Sequence, residues 1–307
     1  MVSNPKRFDH LPQLIACPED PWNNRVFYTR HGKRHWVLSA AHLDDYGLNL
    51  AETVQVSDAE IRSYELAGPL PRSFPAEFWI NPPTGADAWT LREIATSRLV
   101  GQGVEFGAGT SPFPVPLPCE VSFADFVSED DVRRRKYELQ GDDFVRLSYV
   151  TTLESPETIP NNSQDFVIAS HVIEHLRDPL RAIKRIHEKL KQGGQFVIVV
   201  PDKDGVFDRE RDLTSLEHLI LDFTAPDAGR DALNYQDFFQ HVYKTPMSLE
   251  EAHLAVTEGR DCHFHTFTHD SFGELVGWSR EHVAPWQSVW SQPGPSGSFE
   301  FYFVLRK

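Results

Sequence analysis

Between residues 86 and 201, hydrophobic and polar positions follow a pattern that predicts helices and strands in turn. Five short apolar runs are typical of strands: 103–106, 121–124, 144–149, 165–169 and 195–200. Residues 89–99 have a helical pattern, and between the last two strands apolar side chains recur every three or four residues from Leu176 to Leu190. This alternation indicates a parallel sheet with helices on both faces.

The longest predicted helix of this region has recognisable ends. Asp178 can cap its N-terminus, and Pro179 fits its first turn. Gly193 and Gly194 follow the last apolar position and are expected to end it.

After residue 202 the pattern predicts short helices and then a closing hairpin. Thr214 and Ser248 are each followed three residues later by a glutamate, which predicts two capping boxes. Residues 283–290 and 298–305 are typical of strands, and the turn sequence at 293–297 favours an antiparallel pairing between them.

The first 85 residues predict a small α+β appendage. Apolar runs at 26–28 and 35–38 flank a plausible hairpin turn at 30–33. Five prolines between Gly68 and Pro83 indicate a linker. The aromatic side chains of the appendage could stack on glycans or form a homodimer contact, although a small core is their more usual use: Phe27, Tyr28, His35 and Trp36.

Charge and composition exclude several classes of protein. The 307 residues include 30 Lys and Arg against 45 Asp and Glu, a net charge of −15, which disfavours nucleic-acid and anionic membrane partners. No apolar run is long enough for a membrane span, and the first residues lack an apolar signal region. The three cysteines are too scattered for a disulfide framework or a Cys-rich zinc site. We therefore expect a cytoplasmic protein.

The candidate binding site is the glycine-containing turn after the first strand of the parallel region. Gly107 and Gly109 permit a sharp turn and a close approach to a ligand. Pro112 stands where GxGxxG has its third glycine, which disfavours a dinucleotide oxidoreductase. Glu105 suits a cationic ligand, and Asp125, at the end of the next strand, can accept both hydroxyls of a ribose. Together these features favour S-adenosylmethionine (SAM); the alternative is an ordinary glycine turn with a solvated aspartate.

Three motifs, at 104–111, 164–176 and 190–195, resemble those of the class I SAM-dependent methyltransferases in order and spacing. The resemblance runs from residue 86 to the C-terminus. It implies a Rossmann-like seven-stranded sheet that is mostly parallel, with an antiparallel C-terminal hairpin. Residues 202–266 then form a helical insertion after the fifth strand, on the substrate side, and residues 1–85 form the appendage and linker.

The resemblance also implies which residues bind the cofactor. They follow four strand ends: Glu105, Phe106, Gly107, Ala108, Gly109, Asp125, Phe126, Thr152, Leu153 and Ser170. Class I enzymes usually place an acid after the third strand, where it meets adenine. Here Thr151 and Thr152 stand near that place and Glu154 is the nearest acid, so a threonine or the backbone would make the contact.

Further segments, among them 112–116, 159–166 and 263–265, resemble a bacterial subgroup associated with polysaccharide and glycosyltransferase loci. The implied reaction is O-methylation of a sugar or glycan hydroxyl. Two alternatives stay open: N- or C-methylation of another small metabolite, and a degenerate methyltransferase fold that serves as a binding or scaffold module. The intact Glu105, Gly107, Gly109 and Asp125 argue against degeneracy.

Methylation of a hydroxyl requires alignment with the donor and either a base or a metal ion. His171, at the exit of the fourth strand, is the first candidate base; the alternative is a packing or capping histidine. Within the insertion, His218 and His265, or His263 in place of His265, could form a second base or metal site. For any one of these, a surface or hydrogen-bonded histidine is the commoner use.

The sequence His171-x-x-Glu174-His175 is similar to the Glu-x-x-Glu-His of some ubiquinone-pathway O-methyltransferases, which use it for a divalent metal. By this resemblance His171, Glu174 and His175 could hold an ion such as Mg²⁺. Against it, Glu-His is common at this place in methyltransferases that use no metal.

Overall fold

The computed structural model describes residues 12–18, 25–126, 128, 143–295 and 297–307. These ranges contain a five-stranded sheet in the N-terminal part and a seven-stranded sheet in the remainder. Among the helices in these ranges, none combines the length and apolar character that a membrane crossing requires. The first ten residues, where the sequence has no apolar signal region, lie outside the described residues.

The N-terminal sheet has the strand order β4-β1-β2-β3-β5 and carries two short helices. Its elements are β1 (Gln13–Ala16), β2 (Val26–Arg30), β3 (Lys33–Trp36), α1 (Ala40–Asp44), β4 (Val54–Gln55), α2 (Asp58–Arg62) and β5 (Glu65–Leu66). The predicted hairpin turn falls on His31 and Gly32, which both have positive φ. Phe27 and Tyr28 are buried, so these aromatic side chains form a small core.

The proline-rich stretch predicted as a linker is packed against both parts of the chain. Leu70 is fully buried, and the hydroxyl of Tyr46 donates to the carbonyl of Pro71. Farther along, the ring of Trp79 stacks on Trp290 with centroids 4.6 Å apart. The prolines keep this segment extended, but the apolar residues between them give it a buried face.

The seven-stranded sheet has the order β11-β12-β10-β9-β6-β7-β8. Its strands are β6 (Gln102–Phe106), β7 (Glu120–Asp125), β8 (Leu147–Val150), β9 (Gln164–Ser170), β10 (Leu190–Pro201), β11 (Ser288–Gln292) and β12 (Glu300–Arg306). The five strands from β6 to β10 run parallel, and β12 runs antiparallel to both of its neighbours. The predicted Rossmann-like sheet and closing hairpin are confirmed. β8 begins three residues later than predicted, because Val145 is buried in packing before the strand starts.

Helices cover both faces of this sheet, as the alternating pattern predicts. The helices in this part of the chain are α3 (Ala88–Thr96), α4 (Pro179–Lys189), α5 (Leu216–Thr224), α6 (Ala228–His241), α7 (Leu249–Glu258) and α8 (His269–His282). Of these, α6 and α7 pack on each other within the insertion and not on the sheet. On one face, α4 and α8 pack against the alternating aromatic residues of β12, such as Phe301 and Phe303. On the other face, α3 packs through Leu91 and Ile94 against Tyr302.

Helix α4 begins as predicted but ends earlier. The carboxylate of Asp178 accepts the backbone N–H of Arg181, and Pro179 stands in the first turn. The helix ends at Lys189, and Leu190 already pairs with Gln164 in the sheet. Gly193, with φ of +80°, lies in an irregularity of β10 where the register shifts, so the expectation that the two glycines end the helix is wrong.

One of the two predicted capping boxes forms within residues 202–266. Ser248 and Glu251 cap α7 reciprocally. Thr214 does not cap α5, because Ser215 takes that position and accepts the N–H of His218. The backbone N–H and hydroxyl of Thr214 bond instead to Thr266, which closes the insertion on itself.

Candidate active site

A cavity of about 470 Å³ opens at the carboxyl ends of β6, β7 and β9, where ligands of open α/β sheets bind. The turn after β6, the end of β7 and the segment at 151–154 form one side. The exit of β9 forms a second side, and α6 with the segment after α7 forms a third. The insertion therefore contributes a wall of the cavity, as expected of a substrate-side segment.

The turn after β6 lies directly against the exit of β9. Gly107 and Gly109 have φ of +72° and +53°, a backbone region that favours glycine. A Cβ atom at Gly107 would lie 2.6 Å from Cγ2 of Val172, which is too close for any side chain. Glycine is thus required both by the turn and by its packing.

Eight of the ten predicted cofactor residues line this cavity: Phe106, Gly107, Ala108, Gly109, Asp125, Phe126, Thr152 and Leu153. Asp125 is nearly buried at the end of β7, whereas Phe126 beside it is mostly exposed. Ser170 is absent from the lining residues of this cavity. A carboxylate next to apolar and backbone surface matches the needs of an adenosine group.

The acid of the third-strand region, Glu154, lines the cavity but is engaged by the start of α4. Glu154 accepts the backbone N–H of Asp178 at the start of α4, and burial raises the pKa of its carboxyl. The hydroxyl of Thr151 donates to the carbonyl of Ser155, whose N–H in turn donates to the hydroxyl of Thr152. These bonds fix the shape of the 151–155 turn, so Thr152 and Leu153 present a rigid surface to the cavity.

Glu105 is not among the residues that line this cavity. Its carboxylate accepts the backbone N–H of Phe113 at 2.9 and 3.1 Å. Burial raises its pKa to about 8, against the opposing effects of that bond and of Arg92. Glu105 therefore stabilises the segment after the glycine turn. Its position does not support the expected contact with a cationic ligand.

Substitution Glu105→Gln is expected to stabilise the protein increasingly as pH rises. Between its usual pKa near 4.5 and the folded value of about 8, the unfolded state ionises while the folded state stays protonated. Each pH unit in this window therefore lowers the free energy of unfolding of the wild type by up to about 1.4 kcal/mol. Glutamine does not titrate, so the variant does not lose this stability. Thermal denaturation at pH 5 and pH 8 measures the difference between the two proteins. A difference independent of pH would contradict this account of Glu105.

His171 stands at the cavity wall in a strained backbone conformation. Its φ is +54°, which is uncommon for a residue with a side chain and recurs at functional sites. The ring is about one third exposed, and its Nε2 lies 2.8 Å from Oε2 of Glu300. The backbone N–H of His171 donates to the carbonyl of Val199, which fixes the turn.

The carboxylate of Glu300 is fully buried and strongly held. Arg92 donates to both of its oxygens, at 2.8 and 2.5 Å, and the hydroxyl of Tyr302 donates to Oε1. Burial alone would raise its pKa, but the bonds from Arg92 and His171 outweigh burial and lower the pKa to about 2. An ionised carboxylate can only accept, so Nε2 of His171 carries a proton and Nδ1 is left as the basic atom of the neutral ring.

His218 and His265, the other candidate bases, do not line the cavity. His265 is fully buried, and burial lowers its pKa to about 4. Its Nε2 lies 3.9 Å from Asp222, and Nε2 of His218 lies 3.0 Å from the same carboxylate. The structure thus brings the two histidines together around Asp222, but outside the lining of this cavity.

The predicted metal group is rearranged. Glu174 and His175 come together with His263, whereas Nε2 of His171 bonds to Glu300. Nδ1 of His171 lies 3.9 Å from Oε1 of Glu174, but the ring is held by Glu300 and is not part of the group whose ligand atoms could share one ion.

Sequence reasoning missed Glu300 and Arg92, and it missed the cavity residues that follow α7. The signal for Glu300 is a lone carboxylate within the aromatic run 299–303, since a charge in a buried strand requires a partner. Tyr235 of α6 also lines the cavity. Arg211 is buried in ion pairs with Asp208 and Asp237.

A seven-stranded sheet of this order, with a glycine turn after its first parallel strand and an acid at the end of the next, defines the class of SAM-dependent methyltransferases. The chain belongs to the family described as "Methyltransferase domain", whose model matches residues 78–277. It is therefore an enzyme that transfers a methyl group from SAM. No curated protein sequence matches the chain.

Solved structures of methyltransferases show a distant likeness. A SAM-dependent methyltransferase from Mesorhizobium loti is 13% identical, with 73% of this chain and 99% of that one covered and a TM-score of 0.40. A possible histamine N-methyltransferase from Thermotoga maritima is 16% identical, with 67% and 82% covered and a TM-score of 0.38. The CurJ carbon methyltransferase is 12% identical, with a TM-score of 0.40; 71% of this chain is covered, and it spans about half (53%) of that structure's length. Nothing about the acceptor follows from likenesses this distant.

Proposed function

We propose that this enzyme methylates a hydroxyl group of a sugar or glycan and releases S-adenosylhomocysteine. The observation that carries the proposal is the pair formed by His171 and the buried carboxylate of Glu300 at the wall of the cavity. A histidine held by a carboxylate is an arrangement suited to removing a proton from a hydroxyl.

The described residues fit the cofactor that the family implies. The glycine turn offers close backbone approach, Asp125 offers a carboxylate for two ribose hydroxyls, and Leu153 with Phe126 offers apolar surface for adenine. When bound, SAM supplies a methyl group on a sulfonium, which leaves with the electron pair of the carbon–sulfur bond. The enzyme's own part is to align the acceptor and to take its proton.

His171 supplies the base. As the acceptor oxygen bonds to the methyl carbon and the carbon–sulfur bond breaks, the hydroxyl proton passes to Nδ1 of His171. The imidazolium that forms is stabilised by Glu300, which stays ionised because Arg92 and Tyr302 donate to it. Arg92 and Tyr302 thus act through Glu300 and are positioning residues.

The insertion supplies the acceptor side of the cavity. Tyr235 and Phe264 give aromatic surface there, and Arg177 and Arg260 line the same wall. Both arginines are paired with carboxylates, Asp231 at 3.4 Å and Glu258 at 2.7 Å. With its cations neutralised and a net charge of −15 overall, the protein favours a neutral acceptor over an anionic one.

Several narrower expectations stay predictions. Membership of a subgroup from polysaccharide loci and a bacterial source rest on the sequence resemblance, and the cytoplasmic location rests on composition and cysteine usage. The homodimer is a prediction as well. N- or C-methylation of another metabolite is the alternative reaction, and a carbon acceptor could use the same base. Magnesium at His171, Glu174 and His175 is disfavoured, because Nε2 of His171 bonds to Glu300 and two imidazoles do not suit this ion.

The acceptor is identified by incubating the protein with isotope-labelled SAM and fractionated cell glycans or sugar nucleotides. We expect mass spectrometry to find the label on a neutral saccharide and to find none with His171→Ala. Label transfer to amines, or only to non-carbohydrate fractions, would contradict the proposed acceptor.

A further inference from the structure

Three side chains that could bind a metal meet where the insertion joins the sheet. Glu174 and His175 belong to the short 3-10 helix Ile173–His175 after β9, and His263 ends the insertion. Nε2 of His175 lies 3.7 Å from Oε1 of Glu174, and Nε2 of His263 lies 4.0 Å from the same oxygen. One ligand atom from each residue lies within 4.8 Å of the other two.

Glu174 is the unexplained member of this group. Its side chain is fully buried, and neither carboxylate oxygen accepts a hydrogen bond from any residue that the structure describes. A buried carboxylate without donors is costly, so such groups in folded proteins are normally paired or bound to a cation. The two imidazoles face Glu174 at distances too long for hydrogen bonds.

Both histidines are oriented from behind by carboxylates. Nδ1 of His263 lies 2.5 Å from Asp208, which Arg211 holds at 2.8 Å. Nδ1 of His175 lies at the ion-pair distance of 2.9 Å from Asp261, without the geometry of a hydrogen bond. In His263, the carboxylate on Nδ1 keeps the proton there and leaves the lone pair on Nε2, the arrangement seen for histidines that ligate metals. In both rings Nε2 is on the side of Glu174.

We propose that Glu174, His175 and His263 bind a divalent transition-metal ion such as Zn²⁺. Metal–ligand bonds of about 2.0–2.2 Å place ligand atoms about 3 to 4 Å apart, close to the distances to Glu174 Oε1 here. Two imidazoles and one carboxylate suit zinc, iron or manganese. Magnesium prefers a shell of oxygen ligands, so this donor set also argues against the ion expected from the sequence.

The ion joins two parts of the chain that are about ninety residues apart. It links the exit of β9 to the end of the insertion and so holds the insertion over the cavity, one of whose walls includes His175. This role does not depend on which acceptor is methylated, but the site borders the proposed base, since Nδ1 of His171 lies 3.9 Å from Oε1 of Glu174.

A second cluster, His218 with Asp222 and His265, also combines two imidazoles with one carboxylate, but its carboxylate has a cationic partner. Oδ1 of Asp222 accepts from Arg230 at 2.9 Å, whereas Oδ2, which lies 3.0 Å from Nε2 of His218, accepts no hydrogen bond from the described residues. Because Arg230 already neutralises this carboxylate, it does not need a cation. The second cluster therefore provides a matched control.

The test is titration of Zn²⁺ into the full-length protein after removal of metals with EDTA, followed by calorimetry and thermal denaturation. We expect about one ion per chain and, at saturating zinc, a rise in Tm of about 5 °C. Glu174→Gln should abolish both effects while melting no earlier than the wild type in EDTA, since it removes an uncompensated buried charge. His175→Gln should weaken zinc binding at least tenfold, and His218→Gln should bind as the wild type does.

Three results would overturn the proposal: no zinc binding by the wild type at 100-micromolar concentrations (about 10⁻⁴ M), unchanged binding by Glu174→Gln, or loss of binding in His218→Gln. The last would move the ion to the second cluster. SAM binding, measured in parallel, reports separately on the cofactor site, so a failure of the metal site is not mistaken for a failure of the proposed function.

Discussion

His171→Ala is expected to lower the rate of methyl transfer by about 10²- to 10⁴-fold, the usual contribution of a positioned base. The reason is that Nδ1 is the basic atom at the cavity wall, with Nε2 committed to Glu300. The affinity for SAM should stay within about twofold, because the ribose and adenine contacts come from other strand ends. Single-turnover rates with labelled SAM measure the first quantity, and calorimetry measures the second.

Glu300→Gln tests whether the carboxylate of Glu300 assists His171 as a base. If Glu300 orients the ring and stabilises the imidazolium, its removal lowers kcat while the affinity for SAM is kept. A merely structural role would weaken SAM binding together with kcat. Because Arg92 loses its charged partner, folding is checked by circular dichroism, and Tyr302→Phe serves as a milder variant that removes one donor to Glu300. Full activity in His171→Ala would remove this histidine from the mechanism.

Asp125→Ala is expected to weaken SAM binding by about 100-fold. Two hydrogen bonds from ribose hydroxyls to a nearly buried carboxylate contribute about 1.5 kcal/mol or more each, and their loss corresponds to this factor. Calorimetric titration of SAM measures it. Glu105→Gln is the matched control, since Glu105 precedes the same glycine turn but does not line the cavity, and its affinity for SAM should be near that of the wild type. Equal losses in both variants would contradict the assignment of Asp125.

Local patterns predicted the features that depend on neighbouring residues. The spacing of apolar positions gave the five parallel strands and α4, and Ser248 with Glu251 gave the capping box of α7. The glycine turn was predictable because positive φ restricts the choice of residue. These features need only a few consecutive residues, so their signals are complete within short windows of sequence.

The features that local patterns did not predict depend on contacts between residues far apart in the sequence. His171 pairs with Glu300, which lies 129 positions later, and no local pattern indicates which buried acid a histidine will meet. Glu105 and Asp125 look alike in sequence. In the structure, Glu105 accepts the backbone N–H of Phe113, whereas Asp125 lines the cavity. The proline-rich stretch was read as a linker because its packing partner, Trp290, belongs to the far end of the chain.

The nature of the acceptor atom tests the account most directly. The protein is incubated with SAM carrying a ¹³C-labelled methyl group and the saccharide fraction that takes up label, and the product is examined by NMR. We predict that the labelled carbon is bonded to oxygen on a sugar ring and that His171→Ala forms this product at a small fraction of the wild-type rate. A methyl group bonded to nitrogen or carbon, or product formation at the wild-type rate without His171, would contradict it.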